Sequence, residues 1–587
     1  MKIIPGKLRT LSPLLATVSA LFLLTFAGPA KSQDIPPEVL AYPETILYNG
    51  NILTVDDQFS IAEALAIRGE RILAVGNSDR LLKMAGPDTE KVDLQGKTAI
   101  PGMIDTHYHF GGYAIAHMLL KEKGIQWEGE IQWLGLYWDD VEMALRDVSR
   151  AVEAHRPGEL VRISVYIRDR ILPQMTMQQL DAASPQNPVV FVGMTNSGPM
   201  AANTKALDLA GIPSDTAGLP AQGGVIPQGR ANQLLGDYLM WNLPEEQILP
   251  WHKQGMKMVN GWGLTTIITR VTPGEFNAIR EIWLAGDLTL RWRVGFPGPL
   301  DIPHTGNVSD IGDDWLRISG AGGGTALPGR ADAFGHWSTR IEGNIAGTPE
   351  EATEYAAIMN RWNQLRERLL ETFRYGWSAP NSHVLGDIAV RHMLDLIEEA
   401  QRTPVTKSSN QRYTLDHMVE VDPSDIARMA RLGITPSNLL KDIFGDQVRG
   451  SEAHQRVFGT ESMNRMLPIK TYLDAGIYPT LEADTGDEIA GKPLWTIGKA
   501  VCRCVDGSTR VWGRNQKISR EDALRMKTIW AAAFVGEQDR LGSLEPGKLA
   551  DLVILDGDYM TVPEPEISEL NVLLTFVGGK KAYSLVR

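Results

Sequence analysis

Ile100-Pro-Gly-Met-Ile-Asp-Thr-His-Tyr-His-Phe110 is the stretch on which the reading of this chain turns. An apolar run ends in His107 and His109. Successive strand side chains point to opposite faces, so these two imidazoles share one face. Two imidazoles together at the C-terminal end of a strand suit a divalent metal. In parallel α/β barrels that end of the strands carries the chemistry. A lone His-x-His pair is weak, but Pro101-Gly102 before it and Asp105 two residues ahead strengthen the signal.

On either side, the two ends of the chain are β-rich. Thr45-Ile-Leu-Tyr, Asn51-Ile-Leu-Thr-Val and Arg71-Ile-Leu-Ala-Val lie upstream, and Asn49-Gly50 between the first two predicts a hairpin. Downstream are Ala550-Asp-Leu-Val-Ile-Leu, Val572-Leu-Leu-Thr-Phe-Val, a Gly578-Gly579 turn and Lys581-Ala-Tyr-Ser-Leu. Both ends together predict one small β-sandwich, residues 44–100 and 541–587. Between them, short apolar strands alternate with capped helices, the pattern of a parallel α/β fold. Thr348, Pro349 and Glu351 predict a helix start with a capping box, and Gly376 its end. Asp422-Pro423 opens a second helix that stops at Gly433. Ser519 with Asp522 opens a third, running to Gly536. The expected architecture is a TIM-like (β/α)8 barrel over 101–111 and 251–540. Residues 112–250, rich in Trp and Gly, read as an insertion after the first barrel strand that includes barrel elements.

Composition narrows the function. The 587 residues are 43% hydrophobic and 22% charged, values of an ordinary globular chain. The net charge of −13 offers nothing to a phosphate backbone, so nucleic acid is set aside as a partner. A small-molecule substrate is expected, and a homo-oligomer is allowed. Lys2, Lys7 and Arg9, the apolar stretch Leu11–Ala27 and Ala30-Lys31-Ser32 form a signal peptide over residues 1–32. The mature chain is expected to start near Gln33, in the periplasm or outside the cell, with no stable membrane insertion. Cys502 and Cys504 are the only cysteines; a disulfide at that spacing is expected to be strained, and they cannot form a Cys-type zinc site.

The segment at 100–110 resembles the first-strand motif of the metal-dependent amidohydrolase superfamily. Arg540-Leu-Gly-Ser-Leu-Glu-Pro-Gly-Lys-Leu-Ala-Asp-Leu-Val-Ile-Leu-Asp556 resembles that superfamily's return into its β-sandwich. Asn203-Thr-Lys-Ala-Leu, Ala210-Gly-Ile, Asp215-Thr, Gly223-Gly-Val-Ile, His383-Val-Leu-Gly-Asp and Thr414-Leu-Asp-His417 are similar to the branch containing N-substituted formamide deformylase, also called amidohydrolase 3. The resemblance runs from about Thr45 to the C-terminus. It implies metal ligands His107 and His109, His383 from the fifth strand, His417 from the sixth, and Asp484 from the eighth. Glu482 and Asp487 are nearby acids. The segment before His383, Trp377-Ser-Ala-Pro-Asn-Ser, is a poor strand.

Neutral imidazoles and one carboxylate suit Zn²⁺ or a similar divalent ion, which activates water. Asp484 then acts as base and afterwards as acid, and His417 binds metal or polarises the carbonyl. The implied reaction is hydrolysis of an amide-type C–N bond in a small or medium N-acyl or amide compound. Deamination, lactone opening and a catalytically silent binding or regulatory barrel are the rival readings. No Gly-x-Ser-x-Gly motif offers a covalent nucleophile.

Two departures from the branch stand out. Relatives carry a fourth-strand lysine that bridges two metals; here Arg317, in Trp315-Leu-Arg-Ile-Ser, takes the apparent position. One ion per site is therefore expected, with Asp332 or Glu342 as substitute ligands under a shifted register. In Asn196-Ser-Gly-Pro, Gly198 stands where a histidine is common. Arg317, Gly198 and His336 are the candidate substrate contacts. Histidines 117, 155, 252, 304, 392 and 454 match no ligand and read as ordinary polar contacts.

Overall fold

The computed structural model describes residues 42–585, apart from 112–114, 133–134, 167–169, 194–199, 214, 217–218, 220–224, 227–229, 242–244, 272, 297–305, 322–335, 342–345, 381, 409, 446–449 and 485–490. Residues 1–32, expected to be a signal peptide, and Gly198, His304, Asp332, Glu342 and Asp487 lie outside the described residues.

Two parallel sheets occupy the middle of the molecule. One orders Leu316–Ala321, Arg291–Phe296, Leu264–Arg270 and Met103–Asp105; the other orders Tyr413–Leu415, Ile434–Leu439 and Thr480–Glu482. Their strands read as near-continuous apolar or β-branched runs, as Leu264-Thr-Thr-Ile-Ile-Thr does, because sheets covered on both faces bury alternate side chains equally. Beyond the strand ends, Tyr108 bridges in parallel to Asp484 and His383 to Asp416. Ala321 N donates to Ser378 O at 3.0 Å. Among the described residues, the segment before His383 contributes no strand, in keeping with its sequence.

The two ends of the chain meet in a six-stranded sheet, Lys580–Ser584, Val572–Val577, Leu552–Leu555, Thr98–Pro101, Asn51–Leu53 and Ile61–Ala62. A four-stranded sheet of Arg71–Gly76, Ala64–Arg68, Thr45–Tyr48 and Glu90–Asp93 shares an apolar cluster with it, containing Leu47, Leu65, Ile52, Leu552 and Phe576. Gly578 and Gly579, both at positive φ, turn the final hairpin. The hairpin expected at Asn49-Gly50 does not form. Asn49 does turn left-handed, at φ 53°, but Thr45–Tyr48 pairs with Ala64–Arg68 and Asn51–Leu53 with Ile61–Ala62, so the strands enter different sheets. Leu94 lies where a Cβ on Gly50 would be, 2.4 Å from its Cδ1, and this close approach shapes the crossing.

Residues between the first two parallel strands build a sheet of their own, six strands from Glu130–Gln132 to Val225–Ile226, around Leu136, Trp138, Ile163 and Phe191. The Asn203-Thr-Lys-Ala-Leu motif has a structural explanation here. Asn203 caps Thr204–Leu209, and its Oδ1 accepts from Ala206 N at 3.0 Å and Val189 N at 2.9 Å.

Helix signals translate well. Pro349–Arg374 opens on the reciprocal capping box of Thr348 and Glu351, and Pro423–Leu432 ends on left-handed Gly433. The third helix is split, Arg520–Lys527 and Ile529–Phe534. Thr528 Oγ1 donates to the Leu524 carbonyl at 2.6 Å and so competes for an acceptor of the helical ladder. Cys502 and Cys504 are joined by a disulfide. Arg503 between them turns left-handed, at φ 54°, and brings the Cα atoms to 5.2 Å, an ordinary separation for a bridge. Among the described residues, no helix is long and apolar enough to cross a membrane.

Candidate metal centre

The Met103–Asp105 strand is seated by Gly102, where a Cβ would lie 2.3 Å from Thr265 Oγ1; this close approach is what the Pro-Gly of the motif permits. Asp105 then anchors the turn that follows. Its Oδ1 accepts from His107 N (3.1 Å) and Ala483 N (3.2 Å), and its Oδ2 from buried Lys527 Nζ (2.6 Å). Asp484 N donates to His107 O, and His109 N to Asp484 O, at 2.8 and 3.0 Å. Backbone pairing thus brings residues 107–109 and 484 side by side from opposite ends of the chain.

His107 Nδ1 lies 2.7 Å from Asp416 Oδ2, and His417 Nδ1 is hydrogen-bonded to Glu482 Oε1. An ionised carboxylate only accepts, so both histidines carry a proton on Nδ1 and a lone pair on Nε2 when neutral. Those lone pairs point inward. His107 Nε2 lies 3.1 Å from His109 Nε2, 3.1 Å from His383 Nε2 and 3.4 Å from Asp484 Oδ1. Asp484 Oδ1 lies 3.2 Å from His109 Nε2 and 3.8 Å from His417 Nε2. Five acceptor atoms converging with so few protons among them is the arrangement a cation resolves, and a carboxylate behind each of two imidazoles is the usual support for a metal-ligating histidine.

Burial and charge move these groups in different directions. Burial pushes His109 down to about 4 and holds His383 well below its ordinary value, with His417 and Arg270 adding to the effect at His383. Burial also works against ionisation of Asp484, but Lys441 and the imidazoles of His107 and His109 hold its carboxyl well below the usual range. His107 moves the other way. Burial lowers it, yet Asp416 and Asp484 outweigh that and push it up to about 10. His417 and Asp484 both sit at positive φ, 61° and 57°, a conformation costing roughly 1 kcal/mol or more per non-glycine residue.

All five expected ligands, His107, His109, His383, His417 and Asp484, are therefore brought together. Glu482 Oε1 is hydrogen-bonded to His417 Nδ1, the ring nitrogen opposite Nε2. Arg317 lies elsewhere. It is the second residue of its strand, at the N-terminal end, where Nε is 3.2 Å from Glu537 Oε1, whereas the histidines cluster at the C-terminal ends. It cannot stand in for a ligand at the strand's far end, and it touches no part of the cluster. His336 is buried beside Glu420, Asp442 and His454, a separate group described below.

Two cations at the centre escaped the sequence reading. Arg270, the last residue of its strand, directs a guanidinium nitrogen to His383 Nε2 at 2.8 Å. Lys441 Nζ lies 2.8 Å from Asp484 Oδ2, on the oxygen turned away from the imidazoles. The rule that selected His107, a polar residue closing an apolar parallel strand, would have selected Arg270 as well.

Comparison with known proteins shows the family. The amidohydrolase family (Amidohydro_3) matches residues 90–583. N-substituted formamide deformylase of Arthrobacter pascens is 26% identical, covering 92% of this chain and 98% of its own. Protein LONG AFTER FAR-RED 3 of Arabidopsis thaliana is 27% identical over 97% of both. An uncharacterised metal-dependent hydrolase from Pyrococcus furiosus superposes with a TM-score of 0.63 at 21% identity, covering 88% of this chain and all of that one. The chain belongs to the amidohydrolase family, in its amidohydrolase 3 branch, a family of metal-dependent hydrolases acting on C–N bonds.

Proposed function

We propose that this protein is an exported amidohydrolase that uses one zinc ion to cleave the amide-type C–N bond of a small or medium N-acyl or amide compound. The convergence of His107, His109 and His383 Nε2 atoms with Asp484 Oδ1 carries the reading. A divalent ion bound there supplies Lewis acidity and lowers the pKa of water towards about 7. Asp484 takes the proton of the attacking water and passes it to the leaving nitrogen, so that amide and water give acid and amine. His417, whose Nε2 faces Asp484 Oδ1 at 3.8 Å, acts as a ligand.

Arg270 takes the role of carbonyl polariser. Guanidinium is a donor only and stays protonated, so it can stabilise a developing oxyanion. With the ion on the His383 Nε2 lone pair, Arg270 gives up its bond to that atom and stays beside the centre, where its charge repels a second divalent ion at short range. The expectation of a single ion thus rests on Arg270, not on Arg317. We assign residues 1–32 as a cleaved leader directing the chain to the periplasm or medium. The parallel strands, linked by backbone contacts at Ser378 and His383, are read as a closed (β/α)8 barrel, and the two terminal sheets as its β-sandwich.

The test is turnover by zinc-reconstituted protein on formamides, N-acyl amines, lactones and aminopurines. Amide hydrolysis is expected to dominate. Lactone opening or deamination without amide turnover would overturn the assignment. An N-terminus at Met1 on envelope-derived protein would overturn export.

A further inference from the structure

A second group of metal-binding side chains lies outside the centre just described. His336, Asp442 and His454 are all buried, at 0%, 2% and 0% exposure, and each offers a ligand atom within 4.8 Å of the other two. They come from three chain segments. His336 precedes Trp337, whose N donates to Leu385 O at 2.8 Å. Asp442 is in the short helix Lys441–Phe444, and His454 is in the helix Ser451–Met463.

The hydrogen bonding of His454 gives the group its meaning. Its Nδ1 lies 3.3 Å from the carbonyl of Gly450, four residues earlier. A carbonyl only accepts, so Nδ1 holds the proton and the neutral ring has its lone pair on Nε2. That atom faces Asp442 Oδ2 at 3.8 Å, beyond hydrogen-bond range, and Asp442 Oδ2 makes no hydrogen bond among the described residues. A lone pair and a carboxylate oxygen facing each other in a buried site repel unless a cation lies between them. Their separation is that of neighbouring ligands on one ion, and the third donor, His336, lies within the same reach.

The surroundings leave a net negative charge for a cation to offset. Glu420 Oε2 approaches His336 Nδ1 at 4.0 Å, while Arg340 Nε, 3.0 Å from Glu420 Oε1, offsets one carboxylate. With neutral imidazoles, Asp442, Glu420 and Arg340 sum to one net negative charge. Phe458 presents its ring to His336 at 4.9 Å between centroids and closes an apolar wall.

From this geometry we propose that His336, Asp442 and His454 form a second, structural site for a divalent transition-metal ion such as Zn²⁺. Two imidazoles and a carboxylate are a donor set for that class. The ion ties together the segment before Trp337, the short helix and the helix after it. Its position matters because Lys441, adjacent to Asp442, reaches Asp484 in the catalytic centre. The site is independent of the reaction assigned above.

Metal content per chain tests the proposal, measured after zinc loading and removal of free ion. The wild type is expected to hold about two ions. His107→Ala/His109→Ala protein keeps one, and its melting temperature rises on zinc addition. Asp442→Asn or His454→Gln each lose one ion while the catalytic one stays. Adding Asp442→Asn to the double variant removes all metal and abolishes the zinc-dependent melting shift. The proposal is overturned if Asp442→Asn and His454→Gln leave the count unchanged. It is equally overturned if His107→Ala/His109→Ala protein, folded by circular dichroism, binds no zinc; a protonated His454 would then neutralise Asp442. Two ions that both disappear in the double variant would instead mean a binuclear catalytic centre, contradicting the single-ion reading as well.

Discussion

The two ends of the parallel strands solve opposite electrostatic problems. At the N-terminal ends the buried arginines Arg291 and Arg293 each have a carboxylate partner. Arg291, on the strand Arg291–Phe296, grips Asp551 with Nε and a terminal nitrogen at 2.7 and 2.8 Å, and Gly578 N adds a third bond to Asp551 at 2.8 Å. Arg293 Nε reaches Glu537 at 2.7 Å, and Arg317 joins the same carboxylate. At the C-terminal ends, His107, His109, His383, His417 and Asp484 turn acceptors toward one another. Charge balance within the protein marks the end that fastens the strands to the terminal sheet; imbalance marks the end that awaits a cation. The same strand can carry both, and Arg317 was misread because strand membership alone does not say which end a residue occupies.

The largest effect should come from removing the upper acceptors. His107→Ala, His109→Ala or Asp484→Asn should lower kcat by more than about 10³-fold, over 4 kcal/mol of barrier. The histidine variants should also lose the catalytic ion while keeping a native circular dichroism spectrum. Full rate and full metal in either histidine variant would sink the assignment of that residue.

The lower end should answer in stability instead. Asp551→Asn or Glu537→Gln leaves a buried arginine without its counter-charge, which typically costs about 3–5 kcal/mol. Urea unfolding should show that loss, with metal content unchanged and kcat near normal on the folded fraction. If these variants were as stable as wild type but inactive, the contrast between the two ends would collapse.

Arg270 sharpens the comparison, since it is a strand arginine at the other end. Arg270→Gln should reduce kcat by about 10²–10³-fold, the scale for losing one oxyanion donor. Stability and retention of the catalytic ion should change little. If a second ion entered at His383 in that variant, its exclusion by Arg270 would be demonstrated directly. A normal kcat with one ion would remove Arg270 from the chemistry.

How much of this was legible follows from distance along the chain. Local signals carried their meaning: the His-x-His stretch, the capping box at Thr348, Gly433 and Gly578-Gly579 each act within a few residues. The proposed ligands His383, His417 and Asp484 were reachable only through the family resemblance, because nothing near them in sequence states what they converge on. Asp416 and Glu482 were one and two residues from predicted ligands, yet their orienting role depends on contacts to His107 and His417, 309 and 65 residues apart. The buried Lys527–Asp105 pair spans 422 residues and has no local signature. Asn49-Gly50 misled for the opposite reason. Its turn chemistry was correctly read, but tertiary packing sent the two strands into different sheets.

The smallest predicted effect concerns a histidine belonging to neither end. His252 is buried against Phe110, with ring centroids 5.7 Å apart. Its Nδ1 is 3.0 Å from Ile248 O, and Nε2 makes no hydrogen bond among the described residues. Burial pushes its pKa down to about 4 from 6.5, with the Ile248 carbonyl opposing weakly. The neutral ring is thus favoured in the folded state, and the unfolded chain takes up the proton first as pH falls. Stability from this group is intact above pH 6.5, declines as pH drops toward 4, and is fully lost below that. At pH 5 the loss amounts to about 1.5 pH units, or about 2 kcal/mol as an upper figure. His252→Gln keeps a donor for Ile248 but cannot titrate, so its stability should fall less steeply between pH 7 and pH 5. The comparison uses the slope and not absolute stability, which separates it from any packing cost of the substitution. Metal release in acid should be the same in both proteins, because the ligands at the upper end are unchanged. Equal slopes would show that His252 is already protonated near neutrality or is solvated in the folded protein.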